Sequence, residues 1–261
     1  MAEKENINNP KDLIEAVPEE ILKIHLGAED PIVEEKIIEL TKDEMSRQRS
    51  LDNWIPKTEL GKKVKHGILK DFDSILLSGK KYIEPEIADT LLKLKTDLLL
   101  IGQAKGKFGG GKRRAWRQTQ KKTMEGNVVT FSSMVVVGDG KGHIGVGLGK
   151  SKETLPAREK ATRSAKLNII KVNLGYESKE QGHIKPHTVP FIVNGKCGSV
   201  RIKLIPAPRG TGLVVGDECK KILRLVGIED VYGVSMGQTR TTFNLAKACI
   251  DALSKTTRMK L

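Results

Sequence analysis

Four stretches combine residue types that elsewhere carry out chemistry. Gly140-Lys-Gly142-His-Ile-Gly145 has the GxGxxG spacing of dinucleotide-binding turns. That chemistry needs a strand before the glycines and a helix opening on them, so that helix N–H groups meet a pyrophosphate. Here the glycines run into alternating Ile144, Val146 and Leu148, which is a strand pattern. Gly149-Lys150-Ser151 has the close of a P-loop, but the first glycine of GxxxxGK(S/T) falls on Ile144. His183, His187 and Cys197 are metal-ligand types at spacings that match no standard zinc pattern, and a fourth ligand is missing. Asp217, Glu218, Glu229 and Asp230 fall at expected helix ends, where acids are ordinary. No nucleophile is paired with a base and no two carboxylates form an acid/base pair, so the reading is a non-enzyme with no cofactor and no metal.

The chemistry that remains is electrostatic. In Gly198–Leu213, GSVRIKLIPAPRGTGL, Val200, Ile202 and Leu204 alternate with Arg201 and Lys203. Period two puts the aliphatics on one face of a strand and the cations on the other. Pro206-Ala-Pro-Arg-Gly-Thr-Gly212 then stops the strand and presents Arg209 on a stiff turn. Arg240 lies in a second turn-like stretch, Gly237-Gln-Thr-Arg-Thr241. The densest run is 104–122, AKGKFGGGKRRAWRQTQKK, with Lys105, Lys107, Lys112, Arg113, Arg114, Arg117, Lys121 and Lys122 and no acid. Such a run repels itself in water and calls for phosphates. Its glycines predict a flexible segment, and Trp116 could stack or anchor.

Composition agrees. The chain has 261 residues, a net charge of +14 and three widely spaced cysteines. The excess makes a polyanion the default partner. There is no long apolar run, which argues against a membrane, and an odd cysteine number argues against a disulfide framework. A soluble protein of a reducing, cytoplasmic compartment is expected. Aromatics are 4%, so base stacking is not expected to dominate.

The elements that must position these cations come in chain order. Residues 1–50 hold 7 Lys/Arg against 13 Asp/Glu, leaving the rest with 39 against 19, which marks an acidic extension, helical or mobile. Residues 51–96 read as a basic arm with short helices. Residues 97–170 read as a first domain with strands at 97–101 and 128–137, a hairpin turn at Asp139-Gly-Lys141-Gly142, and a third strand through Leu148. A helix is predicted from about Thr154 to Ile170, with Leu155, Ala157, Ala161, Ala165 and Ile169 on one face and Lys160, Arg163 and Lys166 on the other. Lys150 and Lys152 sit near its start, where backbone N–H groups also favour phosphate. Lys141 sits on the hairpin turn. The first domain has the parts of a double-stranded-RNA-binding-like domain, three strands plus a helix, of the kind that reads duplex shape. A linker, 171–185, precedes a C-terminal domain, 186–261, read as an α/β two-layer sandwich. Its strands are predicted at 187–193, 198–204 and 231–236, with a hairpin at Asn194-Gly195 and helices at 218–226 and 243–253. The fold class is therefore α+β with an N-terminal extension.

The segment Gly198–Leu213, with Pro186-His-Thr-Val-Pro190 before it and Gly237–Thr241 after it, resembles the signature of the small-subunit ribosomal protein five ("S five") family in its archaeal and eukaryotic branch. Trp54, Pro56, Thr58, Leu60, Gly61 and Val64 are similar to that family's WxPxTxLGxxV stretch, and the resemblance covers roughly residues 54–256. Relative to the family, the basic run reads as an insertion, and Val128 and Val129 stand where its members carry basic residues. The resemblance implies a structural constituent of the small ribosomal subunit that binds rRNA near the decoding region. It also implies neighbours of the "S four" and "S three" families at the mRNA entry site, and an influence on translational accuracy. The tips Gly138–Gly142 and Gly126 would face rRNA, and Arg209 and Thr211 would shape an RNA or protein contact. The rival reading from the residues alone is a stand-alone duplex-RNA-binding protein or RNA chaperone.

Overall fold

The computed structural model describes residues 51, 53–79, 81–103, 113–176 and 185–258. Residues 1–55 and 56–261 form two units, and every helix and strand named here belongs to the second. The acidic extension, Lys105, Lys107, Lys112 and His183 lie outside the described residues.

Three short helices come first: α1 (Glu59–Lys65), α2 (Phe72–Leu77) and α3 (Glu86–Leu91). Thr58 caps α1, its side chain accepting from the Gly61 N–H at 3.0 Å. Glu84 Oε1 accepts from the N–H groups of Lys57 at 2.9 Å and Thr58 at 2.7 Å. The basic arm of the sequence reading is thus folded back on its own chain.

The first sheet contains β1 (Lys95–Leu98), β4 (Trp116–Thr123), β5 (Gly126–Gly138), β6 (His143–Ser151) and β7 (Ile169–Lys171). The residue pattern predicts three strands here. The two extra ones arise at the end of the basic run, which is strand β4 rather than a flexible loop, and after the helix α4 (Thr154–Leu167). β5 is long enough to pair with β4 along 126–133 and with β1 along 135–138 on the same edge. β2 (Gly102–Gln103) and β3 (Arg113–Arg114) form a separate two-stranded ladder.

The two faces of this sheet are built differently. Gly145, Gly147 and Gly149 of β6 face α4, and a Cβ on any of them would come within 2.0–2.2 Å of the Ala165, Ala161 or Ala157 carbonyl oxygen. Glycine on the strand and a fully buried alanine stripe on the helix let the two backbones touch. Leu155, expected on this stripe, is 66% exposed. It sits two residues from Ala157, about 200° round the helix. Ile169 is buried as the first residue of β7, not as part of α4. On the other face Met134, Val136 and Ile144 join the core of the C-terminal half.

That half has β8 (Val193–Cys197), β9 (Val200–Pro206), β10 (Leu213–Val214), α5 (Asp217–Val226), β11 (Val231–Met236) and α6 (Thr242–Arg258). The sheet order is β10-β11-β9-β8. The expected strand 187–193 and hairpin at Asn194-Gly195 are corrected: both residues lie inside β8, and the turn is at Gly198, φ +59°. The glycine at 195 answers a different need, because a Cβ there would lie 2.0 Å from the Ala248 carbonyl oxygen of α6. In β9, Val200, Ile202 and Leu204 are buried and Arg201 and Lys203 exposed, as the alternation predicts. Gly227 ends α5 in the left-handed region at φ +99°.

Candidate nucleic-acid interface

Several residues of the chemical-looking clusters have structural partners. The Gly140–Gly145 stretch is a hairpin turn running into β6. Glu218 is buried and accepts from the Leu100 N–H at 2.9 Å, while Lys221 of the same helix donates to the Leu98 carbonyl. Asp230 Oδ1 accepts from the Gly212 N–H at 2.7 Å and so braces the turn that carries Arg209. His187 is buried, with Nε2 3.9 Å from Asp230 Oδ2. Among the described residues no group of three or more His, Cys, Asp or Glu side chains is arranged to hold a metal ion, and no helix is long and apolar enough to cross a membrane.

The predicted cations separate into groups. Arg201 and Lys203 stand on the open face of the second sheet, where the β8–β9 register adds Lys196 beside Arg201. The turn-like pair Asn194-Gly195 hides, in the sequence, the alternation through β8 that exposes Lys196. Lys121 and Lys122 are exposed near the tip of the β4–β5 hairpin. Lys150, Lys152, Lys160 and Arg163 are exposed around the β6–α4 junction and along α4, and Arg209 is exposed on its turn. Lys166 is different: its Nζ donates to Asp89 at 2.6 Å, and its backbone carbonyl accepts from the Tyr82 hydroxyl at 2.6 Å. Burial pushes the Tyr82 phenol up to about 12.

Lys141 projects from the β5–β6 turn, but the backbone of that turn is occupied. Gly138 and Gly142 are buried, and Gly140 and Gly142 donate to the last carbonyls of α5. Beside it His143 is held between two carboxylates, Nδ1 to Asp139 at 2.6 Å and Nε2 to Asp73 at 2.8 Å. The Asp139 hydrogen bond raises the His143 pKa, burial opposes it, and Asp73 adds to the rise.

The structure brings four cations from distant stretches together. The β2–β3 ladder sets Arg113 opposite Gln103 and Arg114 opposite Gly102. With its amide oxygen facing Arg240, Gln103 accepts from Arg240 Nε at 3.3 Å and from Nη2 at 2.7 Å. Arg117 joins them from β4, and all four line one cleft of about 830 Å³. Trp116 lines it too, with the Arg158 guanidinium 5.5 Å from its ring centroid. No local signal in the sequence connects Arg240 with the run, since β2 is only two residues long.

Comparison with known proteins supplies the family. The description "Ribosomal protein S5, N-terminal domain" matches residues 115–173 and "Ribosomal protein S5, C-terminal domain" matches 195–260. The first match begins at residue 115, so β4 falls inside it. The chain is 46% identical over 215 residues to the small ribosomal subunit protein uS5 of Nanoarchaeum equitans, covering 81% of this chain and 91% of that protein. It is 44% identical to that of Picrophilus torridus, covering 80% and 89%, and 43% identical to that of Pyrobaculum aerophilum, covering 81% and 90%. With both domain signatures in order and such similarity along most of its length, this chain belongs to the ribosomal protein S5 family.

Proposed function

We propose that this protein is a structural constituent of the cytoplasmic small ribosomal subunit, where it binds rRNA and performs no catalysis. The observation that carries the reading is the similarity to small ribosomal subunit proteins over about four-fifths of the chain. The exposed cations of β4, β6, α4 and β9 support it, since guanidinium and ammonium groups that form no ion pair among the described residues are suited to a phosphate backbone. In this reading 1–50 is an appended extension, 51–96 a basic arm, 97–170 a duplex-reading module of the double-stranded-RNA-binding type, 171–185 a linker and 186–261 a second module. The exposed cations of β4, β6, α4 and β9 lie on RNA, while Lys166 serves the fold. The neighbours are proteins of the "S four" and "S three" families near the mRNA entry site, and the protein contributes to decoding accuracy.

Sedimentation of the untagged protein from a lysate, at low and high salt, tests this. Migration with the small subunit at both salts is expected. A peak at the top of the gradient, or release at modest salt, overturns the reading in favour of a free duplex-RNA binder.

A further inference from the structure

The cleft between the β2–β3 ladder, strand β4 and the turn before α6 has chemistry of its own. Arg113, Arg114, Arg117 and Arg240 line it, and among the described residues no carboxylate does. None of the four forms an ion pair within the described residues. Four like charges around one concave space repel each other until an anion enters. The guanidinium fork matches a phosphate with two parallel hydrogen bonds. Gln118 and Gln120, on the same face of β4 as Trp116, and Gln238 also line it, and their amides both donate and accept and so can meet the edges of an unpaired base. Trp116 adds an aromatic ring, with the Arg158 guanidinium 5.5 Å from its centroid.

Size separates the possible occupants. A volume of about 830 Å³ lies in the range of pockets that enclose one small organic molecule, room for about two nucleotides. A duplex is read instead across a shallow surface about 16 base pairs long and cannot enter.

We propose that this cleft is a binding site for a single RNA strand, its phosphates on Arg113, Arg114, Arg117 and Arg240 and an unpaired base against Trp116. The inference rests on the RNA-binding reading above and adds a second mode to it. Duplex surfaces are engaged by the sheets and α4, while an extruded or looped strand enters between the two halves of the fold. Gln103 is a positioning residue, holding Arg240 towards the cleft.

The test uses the full chain with Trp54→Phe, which leaves Trp116 as the one remaining tryptophan of two. A seven-nucleotide single-stranded RNA, a 16-base-pair duplex and a poly-glutamate peptide are titrated, following Trp116 emission and anisotropy of the labelled probe. The single strand is expected to change Trp116 emission saturably and the duplex to leave it unchanged. Arg113→Gln and Arg240→Gln should each weaken single-strand affinity about tenfold, with duplex affinity altered less than twofold. Arg240→Lys, which keeps the charge but loses the fork, should recover only part. Equal responses to strand and duplex, no emission change, or tighter binding of poly-glutamate would each overturn the proposal. An Arg113→Gln/Arg240→Gln double variant that migrates with the small subunit and retains full single-strand affinity removes the cleft site and leaves the ribosomal reading standing.

Discussion

The backbone N–H of Gly140 donates to the Leu225 carbonyl at 2.9 Å, tying the β5–β6 turn of the first half to the end of α5 in the second. Gly142 does the same for Val226 at 2.9 Å, while Gly227 and Ile228 serve Leu223 and Arg224. All four terminal carbonyls that a helix leaves without internal partners are thereby satisfied. A turn that the family resemblance directs at rRNA commits its Gly140 and Gly142 N–H groups to this internal joint.

Gly138→Ala tests the joint. A Cβ at 138 would lie 2.3 Å from the Leu225 carbonyl oxygen, so the turn must lift from the helix. The substitution is expected to destabilise the protein by about 1–3 kcal/mol, read as a lower denaturant midpoint at constant slope. An unchanged midpoint would show that the joint carries no stability.

Gly147→Ala probes the glycine stripe independently. Its Cβ would meet backbone atoms of Ala161 and Ala165, at 2.1 and 2.2 Å, and backbone cannot rotate away as a side chain can. A loss of at least about 1–3 kcal/mol is expected in thermal or denaturant melts. Met124→Ser, at a fully exposed hairpin tip, should change stability by less than about 0.5 kcal/mol.

His143 makes stability depend on pH. Its folded pKa is raised, chiefly by the Asp139 hydrogen bond, so its contribution is fully present below the ordinary histidine value of about 6.5 and is lost as pH rises through the folded value. Burial pushes the Asp73 and Asp139 carboxyls up, but hydrogen bonds outweigh it and hold both below the ordinary carboxylate value. Lys171 and His143 supply those bonds to Asp73, and His143 with the backbone N–H groups of Lys141 and His143 supplies them to Asp139. Their contributions are present above about pH 3.9 and are lost as pH falls through the lowered values. Urea melts from pH 6 to 9 should show stability falling, and His143→Gln should flatten that slope. An equal slope in the variant would remove His143 as its source.

Salt dependence separates cations that meet RNA from cations that serve the fold. Arg201→Ser with Lys203→Ser should reduce the slope of log affinity against log salt by about 0.7–0.9 for each phosphate no longer neutralised. Lys166→Met should leave that slope unchanged and lower stability instead, because its ammonium is already held by Asp89 at 2.6 Å. A slope change for Lys166→Met of the same size as for the β9 pair would contradict this division.

Strand β9, strand β11 and helix α5 with its glycine stop were legible from residue order, because period two, period 3.6 and a left-handed glycine are local properties. So were the polyanion-binding character, carried by composition, and the family, carried by motifs in order. The partners of the glycines were not legible. Asn194-Gly195 has turn chemistry in any short window, and only α6 lying over β8 requires the missing Cβ there. Nor was it legible that the end of the basic run would be a strand, since β4 exists through its pairing with β5. The cleft was the least legible feature. Arg113 and Arg240 are far apart in the chain, and only the packing of the two halves against one core brings them to a shared space. Local preference acts over a few residues, whereas a concave site is made by backbones that meet only after folding.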